Sequence, residues 1–358
     1  MPDPVQPTDG ERLIRWYDQR RRDLPWRRDR DPYRVWISEI MLQQTRVDVV
    51  TPYYLAFLER FPDVEALAAA PVEDVLAAWS GLGYYRRARY LHAAAREIAD
   101  GGWPRSADTL RALPGIGEYT AAAIASIVYD EVVPVLDGNV ERVTARRLAL
   151  ADDPKRAAPR RRLRTEAASL LVAERPGDSN QALMELGATV CRPRAPLCLG
   201  CPLADGCRGK TAPALYPAPR RRRAAERHDL LVAVVRRADG RILLFRRSDA
   251  AELMPGLWEL PAITPDGSRP AEELLAARYG GRWRLSEDSG RTRHGITHRD
   301  LHLDVRSAAL ELPSDEIAEG PEAAWIDPDD PAQRSAFATS SMVDKALGVT
   351  PRARDGGD

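Results

Sequence analysis

The chain has 358 residues, 44% hydrophobic and 30% charged, and its 53 basic and 53 acidic side chains cancel to a net charge of zero. That length suits about two domains, and no apolar run approaches the ~20 residues a membrane helix needs. Bulk charge therefore gives no argument for a nucleic-acid partner, and confinement of all four cysteines to positions 191–207 excludes a disulfide framework.

The N-terminus lacks the basic-then-apolar pattern of a signal peptide, so the chain is expected to stay in the cytoplasm. Glu11 to Arg22 reads as a helix carrying Leu13, Ile14, Trp16 and Tyr17, and Leu24-Pro25-Trp26-Arg27 breaks it. Asp31 can cap, and Pro32 suits the first position of, a helix that runs to Thr45. On it Val35, Trp36 and Ile40, with Val47 beyond, can face a core, and Glu39 is a carboxylate in apolar company. Further helices are expected at about 47–61, 71–80 and 86–100, with Gly81-Leu82-Gly83-Tyr84-Tyr85 between the last two.

Ser106 caps a short helix to Ala112, and Pro114-Gly115-Ile116-Gly117 makes a tight turn into an Ala-rich helix from Glu118 to Tyr129. The N-terminus of that helix carries positive dipole and suits a phosphate; the bland alternative is a packing turn in a bundle. Asp137 can cap a helix over 140–148, another spans about 160–174, and Asn180 to Val190 leads into the cysteines. Residues 211–223, rich in Pro and Arg, read as a linker. Strand patterns follow at 230–235, 242–245 and 300–305, with a strand end at 258–261 and a helix over 271–279. The first part is all-α and the second α+β.

The basic runs Arg20-Arg21-Arg22, Arg160-Arg161-Arg162 and Arg220 to Arg223 suit either phosphates or a solvated surface. The spacing Cys191-x6-Cys198-x2-Cys201-x5-Cys207 points to a metal centre, and zinc and a [4Fe–4S] cluster both fit it. Glu39 and Asp137 are a candidate acid pair. A buried carboxyl can donate a proton near neutral pH while an ionised partner stabilises a cationic sugar. Alternatively, Glu39 faces solvent and Asp137 only caps a helix. His294, His298 and His302 recur every fourth residue, but in a loop and strand rather than on a helix.

Leu24-Pro-Trp-Arg27, Ser38-Glu-Ile-Met-Leu-Gln-Gln-Thr45, Gly81 to Tyr85, Leu113-Pro-Gly-Ile-Gly-Glu-Tyr-Thr120, Leu136-Asp-Gly-Asn-Val140 and the cysteine spacing together resemble the MutY adenine DNA glycosylases. That family belongs to the helix-hairpin-helix superfamily with endonuclease III. The resemblance implies an all-α glycosylase domain over 1–210, comprising a six-helix barrel at about 27–130 and a [4Fe–4S] module built from the N-terminal helix with 131–210. It further implies a linker over 211–227, an α+β Nudix-like domain that recognises 8-oxoguanine over 228–350, and a tail.

The implied activity is removal of adenine mispaired with 8-oxoguanine or guanine in double-stranded DNA. The protein would act as a nucleoid-associated monomer with no membrane partner. By the resemblance, Glu39 protonates adenine at N7, Asp137 stabilises the oxocarbenium-like sugar, and Tyr119 and Asn139 position them. Trp26, Arg27, Leu42 and Glu185 line the adenine pocket, and Gln44 and Tyr84 wedge into the duplex. Gly115 and Gly117 hold the DNA backbone with a monovalent cation. Cys191, Cys198, Cys201 and Cys207 bind the cluster, fixing Arg192, Arg194 and Arg208 near phosphates.

Tyr119 stands where endonuclease III places its nucleophilic lysine, which implies a glycosylase without strand-cleaving activity. Thymine- or oxidised-pyrimidine-removing members of the superfamily, and a non-catalytic Fe–S DNA-binding protein, are the alternatives. The C-terminal domain argues against the thymine-removing members and the acid pair against a non-catalytic protein. In the C-terminal domain the carboxylates of a Nudix box are missing, so nucleotide pyrophosphate hydrolysis is not expected. Ile296-Thr297-His298 matches the family's 8-oxoguanine loop, with Ile in place of the usual aromatic residue.

Overall fold

The computed structural model describes residues 6–218, 224–251, 253–296, 298–311 and 322–350. Two compact units emerge: Met1–Ala69 with Tyr90–Arg221, and Ala70–Arg89 with Arg222–Asp358.

The first unit is helical. α1 (Asp9–Arg20) starts two residues before the expected position, because Thr8 and Glu11 form a capping box. α2 (Pro32–Met41) stops short of Thr45, and Gln44 enters the left-handed region at φ 60°. α3 (Val47–Arg60) follows, and α4 (Val64–Ala69) is a short helix not anticipated from the sequence. α6 (Arg86–Gly101) and α7 (Ala107–Leu110) lead into the glycine turn and α8 (Glu118–Tyr129). The alanines of α8 are fully buried, and their small size lets α8 lie close to α2.

α9 (Gly138–Leu148), α10 (Ala157–Ser169) and α11 (Pro176–Thr189) close a second core with α1, through Leu13, Tyr17, Val143, Leu163 and Leu186. α10 and α11 each begin a few residues before the expected position. Buried Asn180 of α11 accepts from Val135 N–H at 2.9 Å and donates to Ser126 Oγ and the Val133 carbonyl, each at 2.9 Å. This amide fixes the extended segment that ends in Asp137. Every polar atom of the amide is used, as burial demands.

The second unit holds α5 (Val72–Ala78) and a mixed sheet layer. β1 (Glu226–Val235), β4 (Ala262–Ile263), β5 (Arg282–Ile296) and β6 (Arg299–Glu311) form one sheet in the order β4-β1-β6-β5, with β1 and β6 parallel. β2 (Ile242–Arg246), β3 (Trp258–Glu259) and β7 (Ala323–Ile326) form another in the order β3-β2-β7. α12 (Ala271–Tyr279) packs on β4 and β5, α13 (Pro331–Ala336) on α5, and α14 (Ser341–Val349) on β5 and β6. The strands β5 and β7 and the helices α13 and α14 were not anticipated. β5 has a bulge between Leu285 and Ser289 and carries Arg291 and Arg293 exposed, so its alternation is weak. No described helix is long and apolar enough to cross a membrane.

Candidate active site

Glu39 lies on the last turns of α2, among the buried Val35, Trp36 and Ile40, and is only 5% exposed. Burial pushes its carboxyl up to about 7, against the Tyr119 hydroxyl bond that lowers it, and nearby Asp137 pushes it further. Tyr119 Oη donates to Glu39 Oε2 at 2.5 Å. Tyr119 belongs to the first turn of α8, so the glycine turn places it. There Gly115 has φ 74°, and a Cβ on it would sit 2.5 Å from Tyr90 Cβ. A Cβ on Gly117 would meet nothing, which leaves the N-terminus of α8 open to an approaching backbone.

Asp137 does cap α9, and it also faces the cleft that holds Glu39. Its Oδ1 accepts from the backbone N–H groups of Asn139 (3.0 Å) and Val140 (2.7 Å), and its Oδ2 from Asn139 Nδ2 (2.9 Å). Burial raises its pKa, while those three donors and Arg142 oppose the rise. Burial raises both carboxyls, but their donors differ. Glu39 has a single hydroxyl donor in an apolar pocket, and Asp137 has a ring of N–H groups that favours its ionised form.

Beside them, Trp26 packs edge-on to Tyr54 at 5.4 Å between ring centroids. Glu185 on α11 accepts from Arg27 Nη2 at 2.8 Å and from Arg22 Nε and Nη2 at 2.7 and 2.8 Å. Burial alone would raise the Glu185 pKa, but the two guanidiniums more than reverse this and hold it low. Arg27 is also stacked on the Tyr17 ring at 5.6 Å. Trp26, Arg27, Glu39, Leu42, Asp137 and Glu185 all border one cleft.

Two other sequence candidates share an unusual backbone. Gln44 and Tyr84 are exposed non-glycine residues with φ of 60° and 52°. His298 is exposed, with Nε2 3.9 Å from Glu226 Oε2, and Ile296 packs against the core under β6. Thr297 and the Arg220–Arg223 run lie outside the described residues. His294 and His302 sit on β5 and β6, and His302 bonds Asp300 at 3.0 Å.

Several residues around the cleft escaped sequence reasoning. Arg22 looked like one member of a solvated basic run, yet its side chain turns onto Glu185. In the second run, Arg160 pairs with Glu118 and Glu141. Met184 Sδ lies 3.5 Å from the Tyr119 hydroxyl. Arg142 donates to Asn139 Oδ1 (2.9 Å), the Gly187 carbonyl (2.7 Å) and the Cys191 carbonyl (2.8 Å), joining the Asp137 cap to the cysteine loop. A Cβ on Gly187 would stand 2.6 Å from Asn139 Cβ. Gly187→Ala is therefore expected to cost about 1–3 kcal/mol by overpacking and to lower excision by shifting Asn139. Urea unfolding and single-turnover kinetics would check the two effects.

Cys191, Cys198, Cys201 and Cys207 line one cavity, and Arg146 Nη1 donates to Cys191 Sγ at 3.3 Å. Buried Arg146 also donates to the carbonyls of Arg192 (2.8 Å) and Pro213 (3.0 Å), tying down both sides of the loop. Among the described residues, no three His, Cys, Asp or Glu side chains are placed to hold a single metal ion. Four thiols around one cavity, with a buried guanidinium beside them, are a donor set that suits either zinc or an iron–sulfur centre. Lys210 borders this cavity rather than the acid-pair cleft.

Residues 37–167 match the model of the HhH-GPD superfamily of base excision DNA repair proteins, and residues 231–347 match a NUDIX domain model. The chain is 36% identical to an adenine DNA glycosylase of Mus musculus, over 88% of this chain and 73% of that protein. It is 48% identical to an adenine DNA glycosylase of Mycolicibacterium smegmatis, over 56% of this chain and 69% of that protein. Among solved structures, a thermostable thymine-DNA glycosylase is similar with a TM-score of 0.51 and 28% identity, covering 56% of this chain and 94% of that one.

Proposed function

Because the chain belongs to the adenine DNA glycosylase family, we propose that it excises adenine paired with 8-oxoguanine or guanine from duplex DNA, with Glu39 as general acid and Asp137 as the carboxylate facing the sugar. The observation that carries this reading is the pair itself: a buried Glu39 with a pKa near 7, held by Tyr119, in one cleft with a hydrogen-bonded Asp137.

An adenine in the stack is out of reach, so the nucleotide swings into the cleft while Gln44 and Tyr84 fill the gap. Gly115 and Gly117 would hold the DNA backbone, and their turn would be where a monovalent cation neutralises a phosphate. Trp26 and Leu42 offer apolar surface to the base, and the Arg22–Glu185–Arg27 cluster meets its polar edge. Neutral Glu39 gives its proton to adenine N7. The electron pair of the C1′–N9 bond then leaves with the base, and the ionised Asp137 stabilises the positive charge left on the sugar. A water adds to C1′ and its proton returns to Glu39. Tyr119 offers no amine for a Schiff base, so the product is an intact abasic strand.

Cys191, Cys198, Cys201 and Cys207 would hold a [4Fe–4S] cluster that anchors the 191–207 loop. The purified protein is expected to carry about four irons per chain and a visible thiolate–iron absorbance that Cys198→Ser removes. Zinc without iron would refute the cluster.

A single-turnover assay on A:8-oxoguanine, A:G, T:G and thymine-glycol duplexes, with and without alkali, tests the main reading. Adenine release that needs alkali for strand scission is expected, with no borohydride-trapped adduct. Release of thymine but not adenine would overturn it. Because Glu39 acts in its neutral form, the excision rate should fall as pH rises through about 7.

A further inference from the structure

The Gly81–Tyr85 loop carries three left-handed residues, Gly81 (φ 96°), Gly83 (φ 70°) and Tyr84 (φ 52°). For Tyr84 this backbone is uphill, because its Cβ crowds the following carbonyl. Such a conformation persists only where neighbours over-determine it. On one side, the Arg87 guanidinium lies 5.4 Å from the ring centroids of both Trp79 and Tyr84 and donates to the Gly83 carbonyl at 3.2 Å. Trp79 Nε1 donates to the same carbonyl at 3.2 Å.

On the other side the loop is tied to the C-terminal half of the same unit. Gly81 N–H donates to Tyr85 Oη (3.1 Å), and Tyr85 Oη–H donates to the Thr339 carbonyl (2.5 Å). Ser80 Oγ donates to that carbonyl as well (3.1 Å), so both of its lone pairs are taken. Thr339 is itself held. It bridges Trp258, whose N–H donates to the Ala338 carbonyl at 2.9 Å, and it precedes Ser340, the cap of α14. Arg89 adds a second tie, donating to Asp249 Oδ1 (3.0 Å) and the Pro255 carbonyl (3.1 Å).

We propose that Ser80, Tyr85 and the Thr339 carbonyl form a clasp that positions Tyr84, so that the C-terminal domain sets how this aromatic approaches lesion-containing DNA. The clasp would thereby contribute to the preference for 8-oxoguanine over guanine opposite the excised adenine. It rests on the assignment of Tyr84 as a wedge made above. Ser80 and Tyr85 are positioning residues, since they act through Tyr84. A purely structural role for Tyr85 would affect stability, or slow excision on both duplexes equally.

The test compares single-turnover excision on A:8-oxoguanine and A:G duplexes. Tyr85→Phe should lower the ratio of the two rates about fivefold, the worth of one net hydrogen bond, and Ser80→Ala somewhat less. Tyr84→Ala should lower it at least as much. Adding Tyr85→Phe to Tyr84→Ala should lower it no further, because both changes remove one function. An unchanged ratio in Ser80→Ala and Tyr85→Phe, or fully additive losses, overturns the proposal.

Hydrogen exchange on the DNA-free protein gives an independent readout. The Gly81 amide should exchange faster in Tyr85→Phe, and unchanged exchange overturns the clasp. Wild-type protein that removes no adenine from either duplex would instead overturn the functional reading, and with it the specificity role of the clasp.

Discussion

Glu39→Gln is expected to slow adenine excision about 10³-fold and, at the same time, to make the folded protein more stable above pH 7. The two effects share one cause. Glu39 is buried where its carboxyl has a pKa of about 7, raised from 4.5. A raised acid pKa means that the neutral form is favoured on folding. The stability tied to that neutral form is fully present below pH 4.5 and is lost as pH rises through 7.

At pH 8 the buried charge therefore costs the native state up to about 3 kcal/mol. Gln has nearly the same shape, keeps an oxygen for the Tyr119 hydroxyl, and carries no charge at any pH. Urea unfolding at pH 4 and pH 8 should show wild type and variant alike at the lower pH and the variant ahead at the higher. Excision retained in the variant would remove Glu39 from the chemistry. Equal stability at pH 8 would mean that the carboxyl is not desolvated as the geometry requires.

The helical half was legible because its signals are local. Asp31 and Ser106 are caps whose side chains accept from the next turn, and the apolar stripe of α1 repeats at helical spacing. Glu39 could be singled out from its neighbours alone. Its partnership with Tyr119 joins residues 80 positions apart, and only the family resemblance suggested it before the fold was known.

Long-range ion pairs were the blind spot. Nothing local distinguishes Arg22, which turns onto Glu185, from Arg20 and Arg21 beside it. Gly187 was invisible for a similar reason: its need for a hydrogen in place of a Cβ comes from Asn139 on another helix. In the C-terminal half, β5 was missed because a strand with one exposed arginine-bearing face lacks the apolar alternation that sequence reading relies on. The role of the Gly81–Tyr85 loop was only half legible. Its glycines announce a turn, but the carbonyl that ties it down belongs to Thr339, 254 residues away from Tyr85.

Asp137→Asn separates the two jobs of that residue. As the cap of α9, Asp137 needs an oxygen that accepts from Asn139 and Val140 N–H, and Asn supplies one about as well as Asp does. As the group facing the sugar it needs a negative charge, and Asn has none. Excision should therefore fall by about 10²–10³, the scale for removing one preorganised charge-stabilising group. Unfolding should change by less than about 0.5 kcal/mol.

Asp137→Ala should be equally inactive but also lose about 1 kcal/mol of stability with the cap. The Asn side chain also leaves Asn139 Nδ2 facing either an amide oxygen or an amide nitrogen, a choice that Arg142 biases by holding Asn139 Oδ1. If Asp137→Asn excised adenine at the wild-type rate, the residue would be a cap and nothing more, and the charge opposite Glu39 would have to come from elsewhere. A large loss of stability in Asp137→Asn would instead show that Arg142 and the α9 N-terminus depend on the charge itself. The link from Asp137 through Asn139 and Arg142 to the Cys191 carbonyl would then be electrostatic rather than merely geometric.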